Sequence, residues 1–163
     1  MKEESLFKKI WLWIGRLFSG GDKHAGLRHY ALFKDLNSHE LGLVFDLLHP
    51  RDYRAGETIF EKGFPLEAIF FIESGEVEAS EIQPGSGARI LKRHQFIGVL
   101  DLFAQNKRLS TATALTDVAA LALSESDFWD LVNKFPALGV KILRACCRFQ
   151  AKFMFGQAPE HKA

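Results

Sequence analysis

The run Ile97-Gly98-Val99-Leu100-Asp101-Leu102, followed by Arg108-Leu109-Ser110-Thr111, brings together residue types that suit an anionic ligand. A short turn entering a helix presents free backbone N–H groups and the positive end of the helix dipole. Gly98 lets a ligand approach that backbone closely, where a side chain would block it. Arg108, folded back from the next strand, offers a planar fork to phosphate oxygens. The hydroxyls of Ser110 and Thr111 add donors. Val99, Leu100 and Leu109 complete the candidate binding set. The chemistry implied is recognition of a phosphate-bearing ligand.

Other chemistries find less support. No Ser-His-Asp or paired-carboxylate arrangement stands out, so no catalytic residue is assigned and a non-enzyme is expected. The six histidines stand at 24, 29, 39, 49, 94 and 161, with no His-x-His pair. A metal site on facing strands needs clustered histidines, so no metal ligand is assigned. The two cysteines are adjacent, Cys146-Cys147, and cannot staple distant segments; a reducing, cytoplasmic setting is expected. Twenty-one Lys+Arg against 20 Asp+Glu leave a formal charge of +1, without the basic excess of a dedicated nucleic-acid binder. No apolar run reaches the roughly 18 residues of a membrane-spanning helix.

The elements that must position these residues follow from periodicity. Residues 27–48 hold helical patterns. Asn37 or Ser38 caps a helix over residues 40–48, with Leu41, Val44, Phe45 and Leu48 on one face and Pro50 as its stop. From Tyr53 to Leu123 the pattern turns to short strands, among them Thr58-Ile59-Phe60, Ala68-Ile69-Phe70-Phe71-Ile72, Val77-Glu78-Ala79-Ser80 and Val118-Ala119-Ala120-Leu121-Ala122-Leu123. Gly56, Gly63, Gly75, Gly85 and Gly87 punctuate them as turns, which predicts an antiparallel barrel or sandwich. Arg89, Lys92, Arg93 and His94 read as a solvated strand edge. Ser124 then caps a helix bearing Phe128, Leu131 and Val132, Pro136 breaks it, and a last helix spans about 137–155.

The ordered glycines carry a family resemblance. Gly56-Glu57-Thr58-Ile59-Phe60-x-x-Gly63, then Ile69-Phe70-Phe71-Ile72-x-Ser74-Gly75-Glu76-Val77, resembles the first half of a cyclic-nucleotide-binding domain. Leu32-Phe33-x-x-Leu36 resembles the approach to it. Leu91, Ile97 to Leu102, Arg108 to Thr111, Leu115-Thr116-Asp117-Val118 and Phe128 resemble its second half. The likeness covers roughly residues 30–135. It implies an eight-stranded antiparallel β-roll of the jelly-roll type (a double-stranded β-helix) flanked by helices, with a C-terminal helix pair. It also implies a regulatory role, with cyclic AMP, cyclic GMP or cyclic di-GMP as candidate ligands and no further cofactor.

The chain departs from that family's phosphate-binding pattern in three places. Val99 stands where the family places the glutamate that holds the ribose 2′-hydroxyl. Ile97 replaces an aromatic, and Asp101 a small residue. Loss of a hydrogen bond to a charged group, roughly 1.5–3 kcal/mol, weakens binding by about 10- to 100-fold. Asp101 places a negative charge where a cyclic phosphate would lie and is expected to pair with Arg108. Val99→Glu should then restore affinity if the pocket is intact. The alternative is a ligand-free interaction scaffold or membrane-peripheral adaptor whose pocket has degenerated.

Three segments are expected. Residues 1–21 form an amphipathic helix and hinge, 22–135 the ligand-binding-like domain, and 136–163 a C-terminal helix and tail. Within residues 5–18, Trp11 and Trp13 lie among apolar residues beside Lys8, Lys9 and Arg16. Such a helix suits its own domain, a protein partner, or the inner membrane face as a peripheral contact. Ser19-Gly20-Gly21-Asp22 reads as its hinge. Leu138, Ile142, Ala145, Phe149 and Phe153 form a stripe on the last helix, from which a homodimer is expected. Only eight residues follow Phe155, so no DNA-binding helix-turn-helix is expected there and the chain reads as a stand-alone domain that signals through an unidentified protein partner.

Overall fold

A computed structural model describes residues 24–82, 85, 87–104 and 107–155. The segment 5–18, with its Trp and Lys/Arg residues, lies outside the described residues. Eight antiparallel strands form two four-stranded sheets. They are β1 (Leu48–Tyr53), β2 (Thr58–Phe60), β3 (Ala68–Ser74), β4 (Val77–Ala79), β5 (Arg89–Leu91), β6 (Phe96–Ile97), β7 (Ala112–Ala114) and β8 (Val118–Ser124). The strand orders are β1-β8-β3-β6 and β2-β7-β4-β5. This is the expected β-roll. Its helices are α1 (Ser38–Phe45), α2 (Glu125–Lys134) and α3 (Pro136–Met154). No helix among the described residues is long and apolar enough to cross a membrane.

Local chemistry sets most boundaries. Asn37 accepts from the Glu40 N–H and Glu40 accepts from the Asn37 N–H, a reciprocal cap at α1. The Ser124 hydroxyl accepts from the Asp127 N–H at 3.0 Å and starts α2. Pro136 opens α3, where its missing N–H costs nothing. Gly75 has φ +86°, and a Cβ there would lie 2.3 Å from the Asp117 carbonyl oxygen, so the β3–β4 turn accepts only glycine.

Three readings are corrected. Residues 27–36 are not a regular α-helix. The N–H groups of Leu27, Tyr30, Phe33 and Leu36 each bond the carbonyl three residues earlier, at 2.9–3.1 Å. Leu27, Tyr30, Phe33 and Leu36 are buried at a spacing of three, which a 3₁₀-like chain eclipses on one side, and Leu32 is buried beside them. The helix after Asn37 ends at Phe45, and Leu48 and Pro50 belong to β1. Proline is tolerated there because β1 is an edge strand, paired only with β8. The stripe on α3 faces inward. Leu138, Ile142 and Ala145 are buried in the chain's own core, Phe149 packs on Phe96 at 4.7 Å, and the Arg89 guanidinium lies 4.5 Å over the Phe153 ring. The stripe therefore gives no surplus apolar face; the exposed residues of α3 include Val140, Cys147 and Met154.

The core runs across residues 135 and 136 without a break, since α2 and α3 both pack on the 3₁₀ segment and the roll. Tyr30, fully buried, donates its hydroxyl to the Glu73 carboxylate and lies 3.0 Å from the Ile72 carbonyl oxygen. Lys141 bridges Glu40 at 2.8 Å and ties α3 to α1.

Candidate functional site

The turn after β6 passes through Gly98, with φ +105°. A Cβ at that position would lie 2.9 Å from Arg108 Nη1 and 3.2 Å from the Ala68 carbonyl oxygen. Glycine is thus required both by the backbone angle and by the arginine packed against it. The turn continues into a single 3₁₀ turn, Asp101–Phe103, in place of the expected helix. A three-residue turn contributes little dipole, so any anion binding here rests on individual donors.

Arg108 is buried, 3% exposed, at the end of the loop that returns from that turn. Its backbone is fixed: its N–H donates to the Phe64 carbonyl at 2.9 Å, and its carbonyl accepts from the Gly63 N–H at 2.8 Å. Nη2 donates to the Ala68 carbonyl at 2.8 Å, and Nη1 donates to Asp101 Oδ2 at 3.3 Å. The guanidinium carbon sits 3.8 Å from the centre of the Phe60 ring. Nε is buried with no hydrogen-bond partner. Burial draws the Arg108 guanidinium below its ordinary value, and the neighbouring Asp101 carboxylate works in the opposite direction.

Asp101, 4% exposed, accepts from Arg108 with one oxygen and from the Leu109 N–H with the other, at 3.2 Å. The carboxylate thus gathers two donors of residues 108–109, as an anion bound from outside would. Charge-assisted N–H···O contacts usually measure about 2.7–2.9 Å. Both contacts are longer, so the pair is a loose one.

The remaining candidate residues divide. Gly98, Arg108 and Leu109 meet around Asp101. Leu100 is half-buried beside them in the turn, and Ser110 is buried next along the chain. Thr111 is held by neighbouring strands: its Oγ1 accepts from the Lys62 N–H at 3.1 Å and its N–H donates to Ser80 Oγ at 2.9 Å. Val99 is 1% exposed and packs in the core beneath the helices, so it offers a ligand only its backbone. The expected gain from Val99→Glu is revised accordingly: a carboxylate there would be placed in apolar surroundings. Phe60 and Ala68 were not among the sequence candidates, although they flank the guanidinium. Phe60 stood in the first glycine motif, but a phenylalanine inside a strand reads as core until the arginine is seen on it. In the basic run, Lys92 is exposed and bridges Glu76 at 2.8 Å, while Arg89 is withdrawn onto Phe153.

The family described as cyclic nucleotide-binding domain matches residues 50–135. The chain belongs to that family. Its matched region holds all eight strands save the first two residues of β1, together with α2 and the Gly98–Arg108 site. A cAMP-dependent protein kinase regulatory subunit of Aspergillus fumigatus is 33% identical over 109 residues, 67% of this chain and 26% of that protein. A CRP-like cAMP-activated global transcriptional regulator of Mycobacterium tuberculosis is 24% identical over 125 residues, 75% of this chain and 56% of that one. The crystal structure of the N-terminal domain of a Streptomyces coelicolor transcriptional regulator superposes with a TM-score of 0.66 at 27% identity, covering 82% of this chain and 97% of that one. The chain therefore spans about a quarter of the kinase regulatory subunit and about half of the transcriptional regulator.

Proposed function

We propose that this cyclic nucleotide-binding domain is a non-catalytic regulatory sensor. It takes cyclic AMP, cyclic GMP or a related cyclic nucleotide between the Gly98 turn and Arg108, and it passes the signal on through protein contacts. The observation that carries this reading is Arg108 itself. A buried guanidinium lies under a glycine turn, stacked on Phe60, with its Nε–H unmet and its contact to Asp101 long. A buried unmet donor is costly, and a phosphate oxygen would relieve it. Leu109 N–H, Ser110 and the backbone of Val99 and Leu100 supply the other candidate contacts.

Asp101 acts on this reading as an internal competitor. It already accepts from Arg108 and Leu109, so a ligand phosphate must displace it or bind beside it. The same contacts favour a second reading, in which the carboxylate has replaced the ligand and the domain serves as a scaffold. A homodimer through α3 fits either reading, but only through its outer face, which carries Val140, Cys147 and Met154. A cytoplasmic setting completes the proposal.

Calorimetry against cyclic AMP, cyclic GMP and cyclic di-GMP tests it. The native chain should bind one of them weakly. Asp101→Asn should tighten binding about 10-fold, and Arg108→Lys should weaken it about 10- to 100-fold. No heat from the native chain or from Asp101→Asn with any of the three rejects the sensor and leaves the scaffold.

A further inference from the structure

A cleft of about 670 Å³ opens between α1 and α2, away from the Gly98–Arg108 site. Leu43, Leu47 and Phe135 form part of its apolar wall, and the carboxylates of Asp46, Asp127 and Asp130 stand around it. Lys134 is the one basic residue among those lining it, with its ammonium 5.7 Å from the Phe135 ring. The lining thus combines apolar surface with a net formal charge of −2, from three carboxylates and one ammonium.

The chain carries a sequence of the complementary kind. Residues 5–18 include Lys8, Lys9 and Arg16, no acidic residue, and nine large apolar side chains. The described chain begins beside the cleft. The His24 ring packs on Phe45 at 4.8 Å and lies 3.5 Å from where a Gly42 Cβ would stand, on the helix that supplies Leu43 and runs into the turn holding Asp46 and Leu47. Five residues, 19–23, separate Phe18 from His24 and span up to about 17 Å when extended. That exceeds the roughly 10 Å width of a helix.

We infer that the cationic apolar segment 5–18 of the same chain docks into this cleft, with its apolar residues against Leu43, Leu47 and Phe135 and its lysines facing Asp46 and Asp130. Tethering makes a weak contact sufficient. A short linker gives an effective concentration of about 1 mM, so an intrinsic Kd of about 0.1 mM leaves the segment docked about nine-tenths of the time. The contact is partly ionic between exposed groups and weakens with salt. This inference stands apart from nucleotide binding and does not depend on it.

Full-length chain carrying Trp129→Phe reports the segment alone, because Trp11 and Trp13 are then its two tryptophans. Their emission should be blue-shifted and several-fold less quenched by acrylamide than in the same chain with Asp46→Lys and Asp130→Lys. Both substituted aspartates are exposed, and circular dichroism verifies the fold. Adding Lys8→Glu and Lys9→Glu to the reversed cleft should restore the shielding. In the native chain, a carbodiimide should join Lys8 or Lys9 to Asp46 or Asp130 within one molecule. Equal quenching with and without the cleft reversal overturns the inference. So does shielding that grows with protein concentration, which assigns the cover to a second copy. Shielding that appears only with anionic vesicles assigns it to lipid.

Discussion

Along β3 and β8 the two faces of one strand meet different interiors. Ile69, Phe71, Leu121 and Leu123 join the core beneath the helices, while Phe70, Ile72, Ala120 and Ala122 face into the roll. The helical side is closed by Tyr30, Phe33, Phe128 and Ile142, all fully buried. The roll side contains Ala68, Ala79, Ala112, Ala114, Ala120 and Ala122. Large aromatic and branched side chains bury the most area and carry the larger share of the hydrophobic stabilisation. Alanines stabilise less but leave the two sheets room for a guanidinium. The charged pair Arg108–Asp101 sits at the edge of the alanine side. The difference teaches that one interior holds the fold while the other admits the Arg108–Asp101 pair at its edge.

The largest expected effect lies on the aromatic side. Phe71→Ala should cost about 3–5 kcal/mol of unfolding free energy, through lost transfer energy and the cavity left beside Tyr30, Phe33 and Phe96. Urea unfolding reads it directly. A loss below about 1 kcal/mol would break the assignment of stability to this side.

A smaller effect is expected at the site. Arg108→Ala leaves Asp101 buried with only the Leu109 N–H as donor and should cost about 3 kcal/mol. Removing both partners, Arg108→Ala with Asp101→Ala, should cost clearly less than the single change, because no buried charge is then unpaired. A double variant as unstable as the single one would show that Arg108 stabilises through its contact with Phe60 and not through its pairing with Asp101.

The smallest effect is a pH dependence on the helical side. Burial raises the Glu73 carboxyl above its ordinary value; the Tyr30 hydroxyl and the charges of Arg93 and His29 oppose the rise. The folded chain therefore holds this proton more tightly than the unfolded one. Glu73 penalises the fold above its folded pKa, and the penalty is relieved as pH falls from there toward about 4.3. Glu40 has the opposite sign. Desolvation raises it, but the Lys141 and Asn37 hydrogen bonds and the Lys141 charge bring its carboxyl below the ordinary value. Its contribution is present above about 4.3 and is lost as pH falls through its lowered pKa. Urea midpoints between pH 7 and pH 4 should show Glu73→Gln losing the upturn on acidification that the native chain displays. Parallel curves for the two would place Glu73 in a more solvated setting than the structure gives it.

Short-range chemistry made much of the fold legible from residues alone. Turn glycines, the Asn37–Glu40 and Ser124–Asp127 caps, and the strand cores around Phe70 and Ala120 each depend on neighbours a few positions away. The Gly98 to Arg108 spacing likewise marked two residues that the fold packs together, because a glycine turn and a returning arginine are readable in order. Tertiary structure alone decided which side of each element is covered. The Val99 side chain falls in the core because Leu41, Leu66 and Phe128, distant along the chain, gather in the same cluster. The α3 stripe is internal because Phe96 and Arg89 lie under it. Pro50 sits in a strand because β8, some 70 residues on, is there to pair with β1. Periodicity shows that a face is apolar, but the surface that meets it is assembled from distant residues, and only the folded chain brings them together.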